Sequence, residues 1–168
     1  MSRQDAAPFA GAPDAVAVVR RARAHDAVEV ARLYAQLVDN PALCVLPERL
    51  EHLHAHADAA LLVAEAGPAG LLSGTVFVAW CPDAMFGRRP FAVVENIVVD
   101  AASRGHGVGA ALLAEVERLS LERDCSKIML LSAVERPDAH RFFERQGYAG
   151  DRKRGFVKYR SAFGPATR

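Results

Sequence analysis

The segment D-A-A-S-R-G-H-G-V-G-A-A, Asp100 to Ala111, limits what this chain can become more than any other stretch of it. A β-prone run, F-A-V-V-E-N-I-V-V from Phe91 to Val99, leads through a short polar turn into a helix that opens with Gly105, Gly107 and Gly109. Glycine at a helix start costs roughly 1 kcal/mol per position relative to alanine, so three of them need a reason. The first turn of a helix carries backbone N–H groups without intrahelical partners, and the macrodipole places partial positive charge there. Glycines let that backbone close on an anion with no Cβ in the way. The combination reads as a pyrophosphate site, with Arg104 and the ring of His106 as further donors at its rim. A glycine-rich turn without a ligand is the bland alternative. Gly105, Gly107 and Ala110 also satisfy the dinucleotide fingerprint G-x-G-x-x-[GA]. Two features oppose that version. Asp100 to Arg104 intervene between strand and first glycine, and only about a third of the chain remains for the βαβ units that should follow.

Around this turn the apolar spacing gives a coarse element order. Ala15 to Val19 is a short strand. Asp26 with Glu29 resembles a capping box opening a helix through Val30, Leu33, Tyr34 and Leu37, stopped by Asn40-Pro41. A weaker helix starts near Pro47 and runs through Leu50 and Leu53. Leu61 to Ala64 and Leu71 to Trp80 are strands joined by a turn containing Gly67, Pro68 and Gly70. Cys81 to Pro90 is a loop. Val108 to Asp124 is the clearest helix, with Leu112, Val116 and Leu119 as its apolar stripe. Lys127 to Leu131 is a strand. Pro137 and Gly147 bracket a last helix, and Gly155 to Tyr159 can form a final strand. The order is β-α-α-β-β-β-α-β-α-β, an α/β (α+β mixed) domain with helices packed on a mixed sheet.

Composition excludes several classes. With 168 residues, 51% hydrophobic and 24% charged, the chain has enough apolar surface for one core and is neither disordered nor fibrous. A net charge of +1 lacks the basic excess of a general nucleic-acid binder. No apolar run is long enough to cross a bilayer, so no membrane partner is expected. The N-terminus contains Asp5, Pro8 and Pro13 and reads as a flexible tail over residues 1–13, ahead of a domain over 14–162. Cys44, Cys81 and Cys125 are odd in number, widely spaced and without a C-x-x-C pair. They support neither a disulfide scaffold nor a thiolate zinc site. Free thiols point to a reducing, cytoplasmic location.

Arg104-Gly105-His106-Gly107-Val108-Gly109 resembles the acyl-CoA motif [QR]-x-x-G-x-[GA] of the GNAT N-acetyltransferases. E-N-I-V-V (Glu95 to Val99) looks like that family's central splayed strand, and C-S-K-I-M-L-L (Cys125 to Leu131) like its neighbour. A-H-R-F-F-E-R-Q-G-Y (Ala139 to Tyr148) is similar to its closing helix. The marks follow the family's order across Phe91 to Tyr159, and the N-terminal half agrees in element order. The resemblance implies a GNAT-like domain with a central, mostly antiparallel mixed sheet. It implies acetyl-CoA as cosubstrate, no metal, and transfer of the acetyl group to a primary amine by direct attack on the thioester. It also implies an amine of a small molecule as partner. A homodimer is common among such proteins, though nothing in the residues measures it.

By the same resemblance, main-chain groups of Ile97, Val98 and Val99 would hold the pantetheine arm. N–H groups from Arg104, Gly105, His106, Gly107, Val108 and Gly109 would hold the pyrophosphate. The amine must lose a proton, and Glu95, which interrupts an apolar strand, is the candidate general base, its pKa raised by burial. The bland reading makes Glu95 a structural partner of an arginine. Asn96 should point to the opposite face of the pleat and be structural. Where the family's closing helix often carries a tyrosine that protonates the departing thiolate, this chain has Phe143. It has no proton to give but can pack on the pantetheine; Tyr148 or Ser132 could substitute.

Other features carry less. His52 and His56 lie one helical turn apart, yet no third metal ligand is near. The region of H-L-H-A-H lines the acceptor site in the family, so substrate contact is the useful version. Arg152, Lys153 and Arg154 form a solvated basic cluster or a CoA phosphate contact. Cys125 reads as filler, Phe77 and Trp80 as core. Three function classes stay in play: the N-acetyltransferase, acting on a small molecule or on a protein amine, a non-catalytic acyl-CoA sensor favoured by Phe143, and a dinucleotide oxidoreductase.

Overall fold

The computed structural model describes residues 17–65 and 71–164. The expected N-terminal tail, Ala15 and Val16 of the first strand, and the turn residues Gly67, Pro68 and Gly70 lie outside the described residues. The chain divides into two compact units, Met1–Met129 and Leu130–Arg168. The first holds β1 (Val18–Arg21), α1 (Ala27–Tyr34), α2 (Pro47–Ala55), β2 (Ala59–Glu65), β3 (Gly74–Cys81), β4 (Phe91–Val99), α3 (Val108–Glu122) and the start of β5 (Ile128–Leu130). The second holds α4 (Pro137–Arg145) and a 3-10 turn at Arg160–Ala162.

The five strands form one sheet in sequence order, β1-β2-β3-β4-β5. The first three pairings are antiparallel. At the last, Ser126 N donates to Pro90 O (2.8 Å) and Ala92 N to Lys127 O (2.9 Å). The partners advance together on both strands, so this pairing is parallel and the sheet is mixed, as expected. β2 is buried along nearly its whole length because helices cover both faces of the sheet. On one face Leu61, Val63 and Val98 pack with Val30 and Leu33 of α1 and Leu50 of α2. On the other, Trp80 is buried and donates from Nε1 to Ser120 Oγ of α3 (3.2 Å).

Local chemistry sets the element ends. Pro47 opens α2 at a position where its missing N–H costs nothing. The carbonyls at the far end of α2 need donors, and one nitrogen of Arg21, Nη1, lies 3.1–3.3 Å from the oxygens of Leu53, His54, His56 and Ala59. The Asp26–Glu29 capping box does not form. Asp26 instead accepts from Arg23 N (2.7 Å) and pairs with Arg20, closing the 3-10 turn that precedes α1. Glu29 reaches across to Leu72 N (3.3 Å) and Arg32.

Gly74 is where α3 meets the sheet. A Cβ there would stand 2.8 Å from Val98 O, 3.0 Å from Val108 Cγ1 and 3.1 Å from Leu112 Cδ1. Two of these contacts are fixed by the backbone of β4 and by the first turn of α3, so the clash cannot be relieved by a flexible side chain. Gly74→Ala should lower stability by about 1–3 kcal/mol, read as a shift in the urea midpoint. An unchanged midpoint would show that α3 can move off the sheet freely.

In the second unit, α4 ends as the sequence implies. Gly147 has φ +86° and its N–H reaches Glu144 O (3.0 Å), while Tyr148 N reaches Phe143 O (3.1 Å). The final strand over Gly155 to Tyr159 does not form. An apolar pattern becomes a strand only where a neighbouring edge accepts its amides. Among the described residues no strand pairs with this segment, and Phe156, Val157 and Tyr159 stay exposed.

Candidate functional site

The strand, turn and helix singled out in the sequence meet as expected. After β4, Asp100 caps a 3-10 turn at Ala101–Ser103 by accepting from Ala102 N at 2.9 Å. Arg104 follows in extended backbone, its Nε 3.3 Å from Val99 O. Gly105 and Gly107 then take φ +82° and +80°. That left-handed region is cheap only for glycine. Gly107 is the residue just before α3, and its carbonyl accepts from Ala111 N (2.9 Å). Among the described residues, chain neighbours aside, no atom lies within 4 Å of where a Cβ would stand at either glycine. The glycines are therefore not there to accommodate packing; they hold a backbone shape whose outer side is open. His106 is exposed on the same turn, whereas Val108 and Gly109 are buried at the root of α3.

The turn is tied to α1. Asp100 pairs with Arg32, and its Oδ2 accepts from Gln36 Nε2 at 3.1 Å, while Gln36 Oε1 accepts from Ala101 N at 3.0 Å. Arg32 also donates to Leu72 O (2.8 Å). Hydrogen bonds from Arg32 first, then Gln36 and Ala102 N, hold the Asp100 carboxyl at about 2, below its usual 3.8. The folded value lies below the unfolded one, so the stabilisation is complete above about pH 4 and is lost as pH falls towards 2. Between those limits the urea midpoint of the wild type should fall more steeply than that of Asp100→Asn. Parallel curves would remove Asp100 from the account of acid stability.

Glu95 stands on β4 opposite Phe77 of β3, and Val98 stands opposite Thr75. Two steps along β3 therefore match three along β4, so β4 carries a bulge at Asn96–Ile97. Asn96 sits at φ +52°, a region asparagine tolerates better than most side chains. This corrects the simple pleat: the extra residue leaves Glu95 and Val98 on one face, and Asn96 does not merely alternate with Glu95. That face is the α1–α2 face, because directly opposed residues share a face and Phe77 packs against the core cluster that holds Val30 and Leu33 of α1 and Leu50 of α2. The burial expected for Glu95 is only partial. Nor is Glu95 a structural partner of an arginine, since it makes no hydrogen bond or ion pair with any described residue.

Beside it lies a cleft of about 240 Å³. Tyr34, Leu37, Val38, Leu43, Cys44 and Val45 line it from α1 and the segment after it, and Asn96 closes the β4 side. Burial pushes the Tyr34 phenol, already neutral at ordinary pH, up to about 12. The sequence reading missed these residues. Only the stop at Asn40-Pro41 and the polar pair Glu95-Asn96 inside an apolar strand hinted at them.

The remaining expected residues are placed as follows. Ile97, Val98 and Val99 form the last part of β4; Val98 and Val99 pair with Thr75 and Gly74 on the β3 side. A three-residue β5 whose start lies beside Ala92 cannot accompany a nine-residue β4 to its end. Phe143 belongs to the second unit, nearly buried, with its ring 5.3 Å from Phe142 and 6.2 Å from Tyr148. In that unit Ser132 Oγ is enclosed without a hydrogen-bond partner. His54 bonds Ala22 O (3.1 Å) and His56 accepts from Asp58 N (3.0 Å), so both histidines have structural work. Among the described residues no group of His, Cys, Asp and Glu gathers to hold a metal, and no helix is long and apolar enough to cross a membrane.

Comparison with known proteins gives the family and the fold. The sequence pattern of the "Acetyltransferase (GNAT) family" matches residues 21–148. A glucosamine 6-phosphate N-acetyltransferase from Trypanosoma brucei brucei is 30% identical over 81 residues, 48% of this chain and 53% of that protein. The match thus spans about half the length of that curated relative. Among solved structures, a putative acetyltransferase from Agrobacterium tumefaciens str. C58 superposes with TM-score 0.72 at 24% identity, covering 84% of this chain and 99% of that one. Glucosamine-6-phosphate N-acetyltransferase from Arabidopsis thaliana superposes with TM-score 0.74 at 20% identity, covering 86% and 99%. At such identities the superpositions speak for the fold.

Proposed function

The chain belongs to the GNAT acetyltransferase family, and from that premise we propose that it transfers the acetyl group of acetyl-CoA to a primary amine of a small molecule. The observation that carries the proposal is the conjunction of two features on consecutive elements. Gly105 and Gly107 present left-handed, outwardly open backbone at the start of α3, and β4 just before them carries Glu95, whose carboxylate has no hydrogen-bond or ion-pair partner among the described residues.

The open side of the glycine turn fits a diphosphate, since a Cβ at either glycine would stand where the anion must come closest. N–H groups from Arg104 to Gly109 would hold it, with Arg104 and His106 at the rim. Main-chain groups of Ile97, Val98 and Val99 would bind the pantetheine arm as an added strand. Acetyl-CoA supplies a thioester carbonyl open to direct attack by an amine. The protein's part is to hold the amine next to that carbonyl and to take its proton. Glu95 can do the second directly or through one water, and no described residue pairs with it in competition. Phe143 offers no proton for the leaving sulfur, and a thiolate leaves without one.

The test is release of free CoA thiol across a panel of amines, with acetyl-CoA affinity measured separately. Amine-dependent release supports the enzyme. Tight acetyl-CoA binding with no release on any amine would instead favour the acyl-CoA sensor that Phe143 suggests. Glucosamine 6-phosphate belongs in the panel because of the named relatives.

A further inference from the structure

The cleft beside Glu95 has a chemical character of its own, independent of the glycine turn. Its walls from α1 and the following segment are Tyr34, Leu37, Val38, Leu43, Cys44 and Val45. None is charged, and the Tyr34 phenol, neutral at ordinary pH, is pushed further from ionisation by burial. Asn96 is the single amide on the lining. No lysine or arginine lines the cleft, so a phosphate or carboxylate placed there would lose its water and gain no counter-charge. β4 places an acid next to Asn96 on the α1–α2 face of the sheet. Glu95 shares the face of the sheet with Phe77, which packs against the same core cluster as Tyr34, Leu37 and Val45. The cleft, about 240 Å³, falls below the roughly 300–1,000 Å³ of drug-sized sites. It suits one short chain or ring, not an extended polymer.

We infer that the cleft takes the apolar tail of a primary alkyl- or arylalkylamine, whose ammonium end faces Glu95. The inference rests on the proposed acetyl transfer for the fate of the amine, but the recognition it describes does not depend on that chemistry. Complementarity runs both ways: the carboxylate matches the cation, and the uncharged wall matches the tail. A phosphorylated amino sugar has the right amine but brings an anion to a wall that offers it no counter-charge.

Cys44 makes this testable without turnover, because it is an exposed thiol on the cleft lining, while Cys81 and Cys125 lie away from that lining. Alkylation of the free protein by iodoacetamide is followed at each cysteine by mass spectrometry. Hexylamine or phenethylamine should slow labelling of Cys44 threefold or more and leave Cys81 unchanged, whereas glucosamine 6-phosphate should not protect. In the activity assay kcat/KM should rise about fourfold per methylene from propylamine to the length that fills the cleft. Leu43→Arg should flatten that series while leaving acetyl-CoA affinity intact. Equal protection by all amines, or better protection by the sugar phosphate, overturns the inference. Selective protection with no thiol release on any amine would sink the proposed acetyl transfer and leave the ligand class standing.

Discussion

Gly107→Val should raise the Kd for acetyl-CoA about a hundredfold or more while leaving the fold cooperative. Two costs combine. A β-branched residue at φ +80° is forced into the left-handed region, at roughly 1–2 kcal/mol for an ordinary side chain. That part is paid in the free protein and lowers the melting temperature by a few degrees. The second cost appears only on binding. The Cβ and its methyls fill the open side of the turn, where no described residue other than the chain neighbours comes within 4 Å, and keep an anion from the amide hydrogens. Gly107→Ala separates them, because it carries most of the strain and little of the bulk. Its affinity should lie between those of wild type and valine variant in a calorimetric titration. An affinity unchanged in both would remove the turn from the binding site.

Glu95→Gln should lower kcat by about 10²–10³, within the usual range for a general base, and leave the affinity for acetyl-CoA close to that of the wild type. The substitution keeps the shape and removes the basic oxygen. Because Glu95 has no ion pair or hydrogen bond among the described residues, its replacement strands no internal partner, and the melting temperature should barely move. A structural glutamate would behave in the opposite way, losing stability and keeping turnover. Steady-state kinetics beside a thermal melt distinguishes the two outcomes. A kcat within threefold of the wild type would assign proton removal elsewhere.

The parts of the fold legible from residues alone are those where local chemistry and tertiary packing agree. The glycine turn is the clearest case: the backbone preference of Gly105 and Gly107 and the start of α3 are both local properties. Helix α4 was readable for the same reason, from Pro137 and Gly147. Two failures share another cause. The bulge at Asn96–Ile97 is a mismatch in register between β3 and β4, so no pattern within β4 announces it beyond an asparagine in an apolar run. The segment Gly155 to Tyr159 has strand composition, but composition does not supply an edge to pair with. Asp26 shows a third limit. Its spacing to Glu29 fits a capping box, yet Arg20, brought close by β1, competes for the carboxylate and takes it. The candidate site was legible as one line of chain, Glu95 to Gly109. The cleft was not, because its wall comes from residues more than fifty positions earlier that only the fold brings beside Asn96.

The central claim is that a diphosphate rests on the amide hydrogens between Arg104 and Gly109. Amide chemical shifts of the labelled protein test it directly, with acetyl-CoA compared against acetyl-pantetheine, which has the same thioester arm and no diphosphate. The account predicts large downfield shifts at Gly105, Gly107 and Gly109 with acetyl-CoA alone, and shifts along Ile97 to Val99 with both. Glycine amides that stay in place while acetyl-CoA binds would contradict it.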